Sequence, residues 1–460
     1  PDPRPEVGEA AARRLEVVLA DRPALLHEWL ALALAADRRV PHVHLAELLE
    51  RAARDSDLRP AVAAAIGPRG TWLAGFNKAW SFVMAQPLAE DVFAQEDWDQ
   101  GTRAQRLRAL TALRAQDPAT ALDLLTRAWS TETRGEVRRD LLGVLEIRPG
   151  TEDATLLDTA LDDRNASVRG RALALLTGLP DSAHAHRLRD HLRRHLRVDR
   201  EAPRPVDVSD PSLDDTALLR DLSLTGSRKT PEPERERWER TRTLVTHTPL
   251  DVWTDLLDTD PAGVLALVAD HPDLRGALLD AVALQGNAVW ARVVLDHPSL
   301  GLARMTRVGR HQPRHRRIGP LLAPLPVEER CARVLAVVDR AKSHYALDQA
   351  LSGIDAPWTR ELSEAVARRL TEPPEPTDLA EPAVAAGSTG STGSTVSAEA
   401  TESRRRDLYG HDRLCATAAE FMRPQDLDLL PEQPPNEEQA HPYLTLRDTL
   451  RFRLDMHREL

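Results

Sequence analysis

His191 and His195 stand four residues apart in "AHAHRLRDHLRRHLRV" (183–198), so a helix would set both imidazoles on one face, where two histidines can share a metal ion. A zinc-protease signature also needs a glutamate directly after the first histidine; Leu192 occupies that place, and no third ligand is evident. No metal site is expected. Asp270-His271 and Asp296-His297 suggest acid–base pairs, but neighbours in a helix point apart, and each pair precedes a proline. They read as the end of one helix and the start of another. "TGSRKT" (225–230) lacks the upstream glycine and the Gly-Lys pair of a phosphate loop. Cys331 lies in the apolar run "CARVLAVV" and reads as a buried small hydrophobe. No catalytic residue and no cofactor is expected, and the chain reads as a non-enzyme.

Two sets of residues could bind rather than react. In "GPRGTWLAGFNKAWSFV" (67–83), Trp72, Phe76 and Trp80 fall at i, i+4 and i+8, so one helix would align three rings. Such a stripe is either a partner-binding hot spot or a set of core residues joining the N-terminal helices to the first repeat. Arginines cluster at 184–200 (Arg187, Arg193, Arg194, Arg197) and at 307–317 (Arg310, Arg314, Arg316, Arg317). They form a candidate anion or nucleic-acid patch, or a solvated face balancing nearby acids. The net charge of −11 argues against a dedicated nucleic-acid coat.

The elements that must position these residues are helical. Apolar content is mostly Ala, Leu and Val, aromatics are 4%, and Ala, Leu, Arg and Glu lose little freedom in helices. Only three lysines occur, and the arginine-rich, alanine-rich bias suits a GC-rich bacterial genome. The longest apolar run, Trp29 to Ala36, is far shorter than the roughly 20 residues of a membrane helix. Cys331 and Cys415 lack metal-type spacing, which with no secretory signal points to a cytoplasmic protein.

A repeat is visible inside the helical pattern. Val137, Leu141, Val144 and Leu145 recur as Val168, Ala172, Leu175 and Leu176, each set opened by Val-Arg. Leu124, Leu125, Ala128 and Trp129 recur as Leu156, Leu157, Ala160 and Leu161. Two helix pairs at a period near 30 residues indicate a solenoid, each pair burying its face on the next. The expected organisation is an N-terminal helical array (1–198), a Pro/Asp-rich connector (199–234) and a second helical array (235–371). A Gly/Ser/Thr linker (372–403) and a helical tail (404–460) complete the chain.

The pattern Asp162-Asp163, Val168-Arg169, Ala172 and Leu176 resembles the HEAT family, over roughly residues 105–180. Together with "RGTWLAGFNKAW" and "LQGNAVWARVVLDHP" it is similar to an uncharacterised actinobacterial HEAT-like family, over most of residues 45–370. This chain has Asn77-Lys78 where that family's pattern has Asn-Pro. The family's genes lie beside those for a SWIM zinc-finger protein, a MoxR-type AAA ATPase and von Willebrand factor A proteins. The resemblance therefore implies an all-α, HEAT-like solenoid that acts as a non-catalytic scaffold or adaptor, its partner a MoxR-type ATPase or a von Willebrand factor A protein. The alternative is a nucleic-acid-binding solenoid that uses the two arginine clusters.

Overall fold

The computed structural model describes residues 4–88, 91–225, 233–302, 318–372 and 408–460. They form an all-α helical-repeat fold, and among them the only strands are one short antiparallel pair. Two compact units emerge. The first holds the described residues up to Asp258 with Leu267–Ala277 and Met456–Leu460; the second holds Thr259–Ala266 and the described residues from Leu278 to Asp455.

The first unit opens with α1 (Glu9–Asp21), α2 (Leu26–Ala35), α3 (Leu45–Arg54) and α4 (Arg59–Ala65). Pro23 starts a 3-10 turn after α1, Pro41 precedes another, and Pro60 sits in the first turn of α4, where no backbone N–H is needed. Leu15, Trp29, Leu30, Leu48 and Leu49 are fully buried, and Trp29 donates to the carbonyl of Ala11 at 3.2 Å. Residues from the far end of the sequence complete this bundle: Arg14 Nε donates to Glu459 at 2.9 Å, and His457 lies 2.7 Å from Glu28.

The repeats come next. After α5 (Gly67–Ala74) and the short α6 (Gln95–Asp99) stand α7 (Arg103–Gln116), α8 (Pro118–Trp129), α9 (Gly135–Gly143), α10 (Ala154–Ala160), α11 (Ala166–Thr177) and α12 (Ala183–His195). Starts are set by local side chains: Thr102 and Gln105 make a capping box, while Asp117, Asn165 and Ser182 each accept a backbone N–H. Helices α7, α9 and α11 pack in succession, with α8 on α7 and α10 on α11. Val137, Leu141, Leu156, Ala160, Val168, Ala172 and Leu176 share one core, as the repeat requires, while Leu175 is only partly buried. Burying each large aliphatic side chain there contributes about 1.5–3 kcal/mol.

The Val-Arg pairs explain themselves in this setting. The valine enters the core, and the arginine reaches back six residues to cap the preceding turn: Arg138 to the carbonyl of Glu132 at 2.7 Å, Arg169 to that of Asp163 at 2.8 Å. Arg138 also grips the Asp163 carboxylate with two bonds, at 2.6 and 2.9 Å, linking one repeat to the next.

The expected connector is part of the first unit instead. Helix α12 stops at His195, short of Arg200, and the chain continues as β1 (Leu196–Val198), paired antiparallel with β2 (Val206–Val208). The prolines and aspartates signalled turns correctly, but Val206 and Val208 alternate with Asp207 at the strand period and bury both valines. Helices α13 (Thr216–Asp221), α14 (Glu234–His247) and α15 (Asp251–Leu257) follow, the first two packing on α12.

Next come α16 (Pro261–Leu267), α17 (Pro272–Gln285) and α18 (Ala288–Asp296), then α19 (Ile318–Leu322), α20 (Val327–Val338), α21 (His344–Leu351) and α22 (Arg360–Thr371). Both Asp-His-Pro triplets lie at helix boundaries: His271 accepts the N–H of Leu274 at the start of α17, and His297 ends α18. Arg275 repeats the six-residue reach, bonding the carbonyl of Ala269 at 2.9 Å. Helix α22 begins at Arg360, capped by Thr359, and Trp358 is wholly buried before it. Cys331 and Cys415 are both buried. The tail contributes a helix at 408–421, α23, and α24 (Ala440–Glu459), which buries Leu446, Leu450 and Met456. The expected linker at 372–403 lies outside the described residues except for Glu372. Among the described residues no helix is long and apolar enough to cross a membrane.

Candidate interaction surface

The aromatic segment of the first unit does not form the single helix that its spacing predicts. Gly67 turns the chain from α4 straight into α5 through a left-handed conformation (φ 63°) that few other residues tolerate. Gly70 lies so close to Ile66 that an added Cβ would come within 2.4 Å of its side chain. Helix α5 then ends at Ala74, and Asn77 accepts the N–H of Ala79 at 3.0 Å to start a 3-10 segment, Lys78–Met84. Lys78 takes the first helical position, where proline is also accommodated, so the departure from Asn-Pro leaves the turn intact.

The break separates Trp80 from the other two rings. Trp72 is 64% exposed and Phe76 72% exposed, and they pack edge to face with centroids 4.7 Å apart. Trp80 turns away, half-buried, and donates to Glu50 at 3.2 Å. The core reading therefore fails for Trp72 and Phe76, which stand exposed, while the break after α5 parts Trp80 from them. Phe82 and Val83 are buried in their place.

Two open grooves adjoin the end of this segment, and a third lies farther along the repeats. One of about 650 Å³ lies between the 3-10 segment and the start of α7, lined by Phe82, Met84 and Gln105. A second, about 750 Å³, crosses α7, α9 and α11 past Leu107, Arg139, Gly143 and Arg171. The third, about 620 Å³, lies beside Trp98, Arg106 and Glu132. Its charges are already matched. Arg106 stacks over Trp98 at 4.9 Å and bonds Glu132 at 3.0 Å. Burial pushes the Glu132 carboxyl up, but the bonds from Arg134 and Arg106 outweigh it and hold it down to about 2.

The first arginine cluster is largely spent inside the unit. Arg187 bonds Asp221 at 2.8 Å and pairs with Asp158; Arg193 pairs with Asp190 at 2.8 Å; Arg197 bonds the carbonyl of Arg194 at 2.9 Å. Arg194 is exposed and contacts His191. The two histidines do not converge on one point: His191 faces Asp221, and His195 lies 3.2 Å from Ser209. Burial opposes the charge on Asp221, yet hydrogen bonds from His191 and Arg187 hold its carboxyl well below the usual range. Arg310, Arg314, Arg316 and Arg317 lie outside the described residues. Among the described residues no group of three His, Cys, Asp or Glu side chains could hold a metal ion.

A family model described as "Family of unknown function (DUF5691)" matches residues 1–460. The chain belongs to that family. No curated protein and no solved structure matches it.

For this DUF5691 member, sequence reasoning locates Trp72 and Phe76 but misses the link from their segment to residues 42–43. Val43 is 78% exposed beside His42, and Arg69 reaches His42 Nδ1 at 3.1 Å. Nothing in the spacing of "HVH" (42–44) signals that neighbourhood, because α3 and α4 intervene in the sequence.

Proposed function

We propose that the protein is a non-catalytic adaptor that binds another protein through the first unit. The observation that carries this reading is the exposed Trp72–Phe76 pair, mounted on a helical array next to open grooves. Exposed aromatic side chains supply large contact area at low entropic cost and anchor interfaces. The sequence resemblance supplies the finer proposal: the partner is a MoxR-type ATPase or a von Willebrand factor A protein, in a bacterial defence or stress-response system.

Affinity capture from the native host, run in parallel with the wild-type chain and the W72A/F76A double variant, tests both levels. The expected result is recovery of the ATPase or the von Willebrand factor A protein by the wild type, with loss in the double variant. Recovery of neither by the wild type would overturn the finer proposal; an identical set of proteins from both baits would overturn the role of the aromatic pair.

The nucleic-acid alternative gains no specific support, since Arg187 and Arg193 are paired with carboxylates. Titration with duplex and single-stranded DNA is expected to show no binding even at low salt, where phosphate contacts are strongest. Tight, steeply salt-dependent binding would reverse the ranking.

A further inference from the structure

We propose that the Trp72–Phe76 pair docks an acidic peptide segment of a partner protein, one in which apolar side chains are interleaved with Asp and Glu. The inference rests on the adaptor reading and specifies the chemistry of its partner. Charge complementarity around an apolar anchor point supports it.

From Leu58 to Ala89 the sequence contains no Asp or Glu, in a chain that carries 72 acidic side chains in 460 residues. Arg69 and Lys78, on either side of the ring pair, are exposed, and among the described residues neither makes an ion pair. Many arginines elsewhere in the first unit meet carboxylates, as Arg51 with Glu47, Arg54 with Glu50, Arg103 with Asp140 and Arg138 with Asp163, although Arg194 and Arg197 do not. An acidic protein thus keeps two cations without counter-charges beside the two most exposed aromatic rings among the described residues. Carboxylates from outside would complete that arrangement, while apolar side chains would cover Trp72 and Phe76.

A polyphosphate chain fits less well. Tight phosphate binding is built on many cations, and the net charge of −11 repels a nucleic acid at long range. A second copy of this chain carries the same net charge and is repelled in the same way.

The test pans the full chain against displayed random dodecapeptides. The consensus peptide, fluorescently labelled, is then titrated against the wild type, the W72A/F76A variant and the R69E/K78E variant, at low and high salt. The expected consensus is acidic with aromatic or aliphatic anchors. W72A/F76A is expected to weaken binding about 30-fold or more, as loss of a hot-spot pair does. Charge reversal is expected to weaken it about 10-fold at low salt and less at high salt. All four positions are exposed, so far-UV circular dichroism should match the wild type.

A neutral or basic consensus, or no enrichment, would overturn the proposal. So would competition by oligo-dT for the same site, or a dimer that W72A/F76A dissociates. Peptides whose binding survives W72A/F76A would overturn this surface while leaving the adaptor reading standing, because they would bind elsewhere on the chain.

Discussion

Replacing Asp153 by alanine is expected to destabilise the first unit by about 3–5 kcal/mol, the cost of leaving a buried charge without its partner. Arg114 and Asp153 are each only 2% exposed, and their two bonds measure 2.9 and 2.6 Å. The guanidinium also gathers the carbonyls of Pro118, Ile147 and Arg148 at 2.8–3.0 Å, while Asp153 accepts the N–H of Gly150 at 2.9 Å. One ion pair therefore ties α7 to the turn before α10, including Arg148, which is held in the left-handed region (φ 50°). Urea unfolding of the single variant should show the loss. Replacing both partners by Met and Leu should recover much of it, since a well-packed apolar pair leaves no orphaned charge. A double variant as unstable as D153A would mean that the carbonyl bonds, not the ion pair, hold this corner.

The second large effect is an acid-driven loss of stability that begins well above the carboxylate range. Burial, with His184 as a neighbour, lowers His247 from 6.5 to about 4; burial, with His344 close by, lowers His411 to about 4 as well. Burial disfavours the charged form of both rings. Thr177 donates its hydroxyl to the Leu173 carbonyl, so it accepts from His247 Nδ1 at 2.7 Å, and His411 is wholly buried against His344 with ring centroids 5.2 Å apart. Between pH 6.5 and 4 the unfolded chain binds protons at these two positions that the folded chain refuses. Stability then falls with falling pH by about 1.4 kcal/mol per pH unit for each histidine. At the acid end each contributes a loss of about 3 kcal/mol. Below that range protonation of Glu132, held down to about 2, removes a further contribution. Denaturation curves at pH 7, 6 and 5 check the slope, and His247→Gln or His411→Gln should flatten its share. A wild-type stability independent of pH over this interval would refute the account.

How far the sequence discloses this molecule depends on distance along the chain. Asp117-Pro118, the Val-Arg pairs and the 3.6-residue spacing of Val168, Ala172 and Leu176 act within one helix or turn, so each is readable locally. The β1–β2 pair is hidden because three-residue strands among prolines and aspartates carry too few residues to show a period. The stripe of Trp72, Phe76 and Trp80 misleads for the opposite reason. A spacing of four says which residues share a face only if the helix continues, and Gly75 with Asn77 stops it. The fate of Arg187 is beyond local reading altogether, since Asp158 and Asp221 approach from 29 and 34 residues away. Charge runs look available in a sequence; whether they are depends on partners only the fold supplies.

The pairing of Arg14 with Glu459 and of His457 with Glu28 joins residues 445 and 429 positions apart. During synthesis, Arg14 and Glu28 leave the ribosome 445 and 429 residues ahead of these partners, so the bundle of α1 and α2 waits for its last contacts. Repeats in the middle of the chain suffer no such delay, because their neighbours emerge within about 10 seconds even at slow elongation rates. Helices α1 and α2 thus emerge before the repeats yet complete their contacts after them, and a chain cut short before residue 457 would carry sound repeats and an unfinished α1–α2 bundle.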